Sequence, residues 1–287
     1  MFSIVIPTLN NTKYLKLCIN SLKKNSSLNN EILAHVSEDF QNETRDFLKS
    51  ENIKYTYTSK NVGLCTAINI IAKNISNDYL IYAHDDMYFC PNWEKALVDE
   101  INKINHKNFY ISGSMIEPNS GHIQFNCGES IDEFNEDKLL KNLHNLQIED
   151  HQGSHFAPHC VHKKTWDSVG GFSEEFNPGI GSDPDFNMKL WKIGCRIFKG
   201  LNEFKVYHFG SLTTRKNKNV KQNRGDNTFL LKWGISTYFF KKHYLRSKTL
   251  YDGPLKDPEK NFKYYVGLLK CKIAFCFHLI FSKKLNK

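Results

Sequence analysis

His84-Asp85-Asp86 follows directly on the apolar run Tyr79-Leu80-Ile81-Tyr82-Ala83. Adjacent ionisable groups at the end of such a run repel one another and lose hydration unless something cationic joins them. A divalent metal meets that need. Residues i and i+2 of an extended segment project the same way, so His84 and Asp86 can share one ion while Asp85 turns elsewhere. Carboxylate, imidazole and diphosphate oxygens together suit Mn²⁺ or Mg²⁺ held with a nucleotide. A solvated turn in which Asp86 caps the next helix fits the same three residues. A second pair of carboxylates, Asp183 and Asp185, follows Pro178-Gly179-Ile180-Gly181 and opens a helical pattern of Phe186, Leu190 and Ile193 that Gly194 ends. Either can be a cap favoured by the helix dipole, and one of them can be a general base.

The elements that must position these groups alternate. Ile4-Val5-Ile6 is a short β-branched run ended by Pro7, followed by Leu15, Cys18, Ile19 and Leu22 at helical spacing. Strand and helix then repeat: Ile32 to Val36, Glu43 to Lys49, Ile53 to Tyr57, a helix carrying Leu64, Ile68, Ile71 and Ile75, and a strand from Tyr79 to Ala83. Pro91 opens a helix with Leu97, Ile101 and Ile104, and Phe109 to Ile116 reads as a further strand. Alternation of this kind predicts an α/β fold around a Rossmann-like, mostly parallel central sheet flanked by helices. Ligands of such sheets collect at the carboxyl ends of the strands. Four polar clusters leave those ends: Pro7-Thr8-Leu9-Asn10, Ser37-Glu38-Asp39, Asn61-Val62-Gly63 and His84-Asp85-Asp86. Each alone is ordinary turn chemistry, and their convergence on one edge predicts a site.

Ile4-Val5-Ile6-Pro7-Thr8-Leu9-Asn10, Asn61-x-Gly63-x-x-x-Ala67-x-Asn69, His84-Asp85-Asp86, and Gly170-Gly171-Phe172 ahead of Asp183-x-Asp185 resemble, in order and spacing, the motif series of family-2 glycosyltransferases with the GT-A fold. The resemblance spans roughly residues 1 to 210. It implies Pro7, Thr8, Asn10, Glu38 or Asp39, Asn61, Asn69 and Asp85 around the nucleotide of a nucleoside-diphosphate sugar, a UDP-sugar in the first instance. It implies Asp86 as metal ligand, with His84 standing where Asp is usual, and His208 as a C-terminal ligand after a strand from Phe204 to Tyr207. Gly170, Gly171, Phe172 and Asp185 fall on the acceptor side, and Asp183 aligns with the base of inverting members. Ser182 precedes it where Glu is frequent. Arg215, Lys216, Lys218 and Lys221 form a basic loop that can close over the diphosphate. The implied layout is a GT-A domain over 1–215, with a nucleotide half 1–116 and an acceptor half 117–215, and a helical extension over 216–287.

Composition narrows the alternatives. The chain has 287 residues, 40% hydrophobic and 13% aromatic, enough for a sizeable core. Lys and Arg outnumber Asp and Glu by 39 to 30, a formal charge of +9 that calls for an acidic partner. The lysines are scattered and no nucleic-acid motif is present, so nucleic acid is not the expected partner. A nucleotidyltransferase would carry a Gly-rich basic loop after the first strand, where Thr8-Leu9-Asn10-Asn11-Thr12 stands instead. A non-catalytic carbohydrate or nucleic-acid binder is the third reading. Eight separated cysteines predict reduced thiols, and the absence of a leader pattern predicts a cytoplasmic protein. His151, His155, His159, Cys160 and His162 cluster without zinc-site spacing, and His155 or His159 could instead meet the acceptor. Asp226 could cap a helix running to Tyr244. The tail from Phe262 mixes aromatic, aliphatic and lysine residues, as in a helix lying on an anionic membrane near a glycan or lipid-linked acceptor, peripheral to the inner face.

Overall fold

The computed structural model describes residues 2–153, 156–210 and 224–282. The first elements alternate as β1 (Phe2–Leu9), α1 (Thr12–Lys24), β2 (Glu31–Ser37), α2 (Glu43–Ser50), β3 (Lys54–Thr58), α3 (Leu64–Ala72) and β4 (Tyr79–Tyr82). Strands β3, β2, β1 and β4 lie side by side in that order, all parallel. The apolar spacing of α1 buries Leu15, Cys18, Ile19 and Leu22, and α3 buries Cys65, Ile68 and Ile71 against β1 and β2.

β1 runs through Pro7 to Leu9, three residues past Ile6, where the expected run ended. Pairing with β4 stops at Val5, whereas pairing with β2 continues to Leu9. A proline is tolerated where one side of a strand has already lost its neighbour, because the missing N–H is not needed there.

The remaining strands depart from a simple parallel sheet. After β5 (Met87–Phe89) and α4 (Trp93–Lys103) come β6 (Phe109–Glu117), β7 (Ile123–Gln124), α5 (Glu136–Asn142), β8 (His151–Gln152), β9 (His159–His162), α6 (Lys163–Ser168), α7 (Ser182–Lys192) and β10 (Ile197–His208). β9 inserts between β4 and β6, antiparallel to both, and β10 continues parallel to β6 with β5 antiparallel on its far edge. The central sheet is therefore mixed. Of the histidine-rich segment that invited a metal reading, His159, Cys160 and His162 belong to this inserted strand, while His151 lies in β8 beside β10. His159 is fully buried, with its ring within 6.1 Å of those of Tyr82, Tyr110, Phe172 and Phe186. Burial drives its imidazole down to about 3, so it is a neutral core residue with no surface to offer an acceptor. His162 accepts from Lys164 N at 3.0 Å and caps α6. His155 lies outside the described residues.

Beyond residue 224, α8 (Gly225–Trp233) stops at Gly234, whose φ of 71° suits a left-handed helix end. The single helix expected up to Tyr244 is thus two pieces, the second being α9 (Thr237–Phe239) with a π-turn over Phe240–Tyr244. Asp226 Oδ1 accepts from Thr237 Oγ1 at 2.6 Å and ties the pieces together. A 21-residue helix, α10 (Phe262–Ser282), ends the described chain. Phe229, Leu230, Phe239, Phe240, Tyr264 and Cys271 share one hydrophobic core with β1 and β4. Residues 215 and 216, where the extension was expected to begin, lie outside the described residues. Among the described residues no helix is long and apolar enough to cross a membrane.

Candidate active site

The chain leaves β4 through Ala83, whose N–H still bonds Val5 O at 3.1 Å, and the next three residues fan out from the sheet edge. Asp85 turns toward the end of β1, where Thr8 Oγ1 donates to its carboxylate at 2.7 Å. Asp86 turns the other way. Its Oδ1 lies 3.3 Å from His208 Nε2 and 4.0 Å from His84 Nδ1. Ligating atoms of His84, Asp86 and His208 all fall within 4.8 Å of one another. His208 is the last residue of β10 and pairs with Met87 of β5, which fixes its height beside the His84-Asp85-Asp86 turn. Its Nδ1 is 2.6 Å from Glu117 Oε1 at the end of β6. Glu117 was not foreseen, although the rule that found the others, polar residues leaving strand ends, reaches it once β6 is extended one residue beyond Ile116.

The electrostatics of this corner are uneven. Burial, with the neighbouring Asp86 adding to it, raises the carboxyl of Asp85. His84 is lowered to about 4 by burial, so its imidazole is neutral and its lone pair free to bind. Burial also works against charge on His208, but the carboxylates of Asp86 and Glu117 overcome it and hold the ring up to about 10. A positive charge between two buried carboxylates is what the geometry demands. One carboxylate and two imidazoles form a donor set that fits a divalent ion, with Glu117 orienting the second imidazole from behind.

Asp183 sits in the first turn of α7. Its Oδ1 is buried without a hydrogen-bond partner, and burial raises the carboxyl to about 7. After their own burial, its charge is the leading influence that raises the phenols of Tyr82 and Tyr110. Tyr82 spans the gap between the two parts of the site. Its ring is 5.4 Å from that of His84 and 5.6 Å from that of Phe172, and its hydroxyl is buried and unpartnered. Asp185, two residues on, is fully buried and its carboxylate is saturated: Ser173 Oγ donates at 2.6 Å, Trp233 Nε1 at 2.8 Å, and Lys232 Nζ lies at 2.9 Å. It fastens α7 to α8.

The glycine turn before Phe172 is set by backbone demand. Gly170 and Gly171 have φ of 70° and 64°. A Cβ on Gly171 would stand 2.5 Å from Asn69 Oδ1, which is too close for any side chain. Asn69 grips this turn at both ends, accepting from Phe172 N at 2.9 Å and donating to Phe172 O at 2.8 Å. Phe172 is buried against Trp166 and Phe186, and only Gly170 has open space beside it.

The donor-side loops are likewise bound to the protein. Asp39 accepts from the N–H groups of Thr44 and Arg45 at 3.3 and 2.9 Å and starts α2, while Arg45 stacks over Tyr57 at 4.0 Å. Glu38 Oε1 accepts from Asn61 N at 3.0 Å, and Asn61 Oδ1 from Gly63 N at 2.9 Å. Asn10 is exposed with φ of 51°, and Pro7 is half-buried beside Thr8. Asn177, also unforeseen, joins the two halves: it accepts from Cys65 N at 2.9 Å at the start of α3 and donates to Thr66 Oγ1 at 2.9 Å. The basic loop of Arg215, Lys216, Lys218 and Lys221 lies outside the described residues.

The sequence profile of Glycosyl transferase family 2 matches residues 3–160. A Rickettsia prowazekii protein named as an uncharacterized glycosyltransferase is 28% identical over 202 residues, covering 69% of this chain and 61% of its own length. The chain spans less than two thirds of the length of the curated relatives it matches. Among solved structures, GalNAc-T7 with UDP, GalNAc and Mn²⁺ superposes with a TM-score of 0.56 at 18% identity, covering 72% of this chain and 43% of that one. TarS 1–349 of S. aureus in complex with UDP-GlcNAc gives 0.54 at 15% identity, covering 73% and 60%. At these identities the structural likeness speaks for the fold, a GT-A type α/β architecture with helices on a central sheet.

Proposed function

The chain belongs to glycosyl transferase family 2, and on that premise we propose that it moves a sugar from a nucleoside-diphosphate sugar to an acceptor hydroxyl in a metal-dependent, inverting displacement. The observation that carries the reading is the convergence of His84, Asp86 and His208 within 4.8 Å at the strand ends. Tyr82 links that corner to the half-buried carboxylate of Asp183. His84, Asp86 and His208 would hold the ion, and two imidazoles favour Mn²⁺ over Mg²⁺. When bound, a divalent ion supplies positive charge to the departing diphosphate.

The chain's own residues do the rest. Asp183 takes the proton of the acceptor hydroxyl as its oxygen bonds to C1 of the sugar, and the C1–O bond to the diphosphate breaks with its electron pair leaving on oxygen. A carboxylate with a buried, unengaged oxygen and a value near 7 suits that task. Asp85 with Thr8, Pro7, Asn10, Glu38, Asp39, Asn61 and Asn69 form the donor side of this reading, partly by shaping loops around the nucleotide. Gly170, Gly171, Phe172 and Asp185 shape the acceptor side. A UDP-sugar is the favoured donor because TarS and GalNAc-T7 were solved with UDP compounds. The acceptor is a glycan or lipid-linked hydroxyl, as in surface polysaccharide or lipopolysaccharide assembly.

The test is a titration of the protein with UDP-, GDP-, dTDP- and CMP-sugars, with and without Mn²⁺, repeated on Asp86→Asn. The expected outcome is Mn²⁺-dependent binding of one donor, weakened about a hundredfold in the variant. Equal binding by wild type and variant would overturn the metal assignment.

A further inference from the structure

Among the described residues, helix α10 packs only one of its two apolar faces on the rest of the protein. Tyr264 and Cys271 point inward, the former with its ring 5.0 Å from that of Phe239 and the latter accepting at Sγ from Ser236 N at 3.3 Å. On the opposite side Phe262, Val266, Leu269, Ile273 and Ile280 recur at intervals of three, four and seven, which places them along one line of the helix. All are exposed, with Phe262 at 81%, Leu269 at 59%, Ile273 at 61% and Ile280 at 60%. At 1.5 Å per residue the helix is about 31 Å long. A contiguous exposed stripe on that scale is more than the scattered apolar exposure of an ordinary surface.

Charge identifies what covers it. Lys263 and Lys270 fall about a quarter turn to one side of the stripe and Lys272 about a quarter turn to the other. All three are exposed. No aspartate or glutamate occurs after Glu259. A stripe bordered by cations and free of carboxylates would set lysine against lysine in a two-fold contact with a second copy. The same lysines are well placed for phosphate-bearing headgroups while the stripe enters the acyl boundary. The lysines also break the apolar run, in keeping with a helix that lies in the interface plane and does not cross it.

We propose that the outward face of α10 docks the protein on an anionic lipid bilayer, with Phe262, Leu269, Ile273 and Ile280 immersed and Lys263, Lys270 and Lys272 at the headgroups. The inward face of the same helix packs on α8 and α9, and Lys232 of α8 reaches Asp185 in the helix that carries Asp183. Docking therefore orients the acceptor side with respect to the bilayer. The surface is independent of the donor and of the chemistry proposed above.

The test is co-sedimentation of the full chain with vesicles of phosphatidylcholine alone or with 30% phosphatidylglycerol, in roughly physiological salt. Wild type is expected in the pellet only with the anionic vesicles. Leu269→Glu with Ile273→Glu should weaken that binding at least tenfold. Lys263→Gln with Lys270→Gln and Lys272→Gln should remove the preference for the anionic lipid. These side chains are exposed, so each variant should melt like wild type. A nitroxide on Cys276, the exposed cysteine among the described residues, supplies a readout on the unaltered helix: its accessibility to oxygen should rise on anionic vesicles. Asp86→Asn should sediment as wild type does, which separates this test from that of the catalytic reading. Wild type remaining in the supernatant would overturn the proposal. So would unchanged binding of the Leu269→Glu, Ile273→Glu variant, or a lipid-indifferent dimer that this variant dissociates.

Discussion

The rim of the site and its floor are built from the same residue types and treat them in opposite ways. On the rim, Glu38, Asp39, Asn61 and Asn69 have their polar atoms engaged by backbone N–H and C=O groups of neighbouring loops. On the floor, Asp85 and Asp183 are pushed up by burial, and the ring of His208 is pushed up by the two carboxylates beside it. The rim is at rest, and the floor is under electrostatic load. Unrelieved burial of charge is costly for stability, so its concentration at one place marks where a ligand or a reaction makes use of it.

Asp183 and Asp185 bring the contrast into a single helix turn, and they give the sharpest ways to break it. Asp183→Asn should lower kcat about a thousandfold while leaving donor affinity within twofold, measured by steady-state kinetics and titration. For wild type, kcat/KM should rise with pH through about 7, as the carboxyl loses its proton. The stability effect has the reverse sense. The folded value lies above that of the unfolded chain, about 3.9, so the folded state holds this proton more tightly. Stability is full below the unfolded value and is lost as pH rises through about 7. Asp183→Asn should therefore melt higher than wild type at pH 8 and equally at about pH 4, in paired thermal melts.

Asp185→Asn should do the opposite at neutral pH. It removes charge from a buried carboxylate with three partners, and about 2–3 kcal/mol of stability should go with it, read by denaturant unfolding. If instead Asp185→Asn abolished transfer without loss of stability, the roles of the two carboxylates would have to be exchanged. The smallest effect is expected at Glu117→Gln. His208 would keep its place but lose the carboxylate behind it, and Mn²⁺ affinity by isothermal titration should fall about tenfold. No change there would confine the load to the first ring of residues.

Much of this was legible in the sequence because periodicity reports packing. The apolar spacing placed β2, α2 and β3 within a residue at each end, while β1 runs three residues past Ile6 and α3 stops three short of Ile75; the turn after Ala83 gave the floor its position. What escaped has physical reasons. β9 is four residues of His-Cys-Val-His, too short for a period and polar at both ends, and it becomes a strand only because β4 and β6 offer edges on either side. Glu117 and Asn177 act across 91 and 112 residues of sequence, and no local pattern reports such partners. The saturation of Asp185 depends on Trp233 and Lys232, which lie well beyond the motif.

The position of β9 has a bearing on how the molecule can be divided. β4 and β6 both belong to residues 1–116 or end one residue past them, yet they touch no common edge until 159–162 is laid between them. β5, from the same stretch, depends on β10 in the same way. A fragment cut after residue 116 would expose bare strand edges on β4, β5 and β6, an invitation to pair with other chains and aggregate. The donor half is a region of the molecule and not a detachable part. Excision or swapping experiments aimed at donor choice should exchange loops at the strand ends and leave the sheet whole.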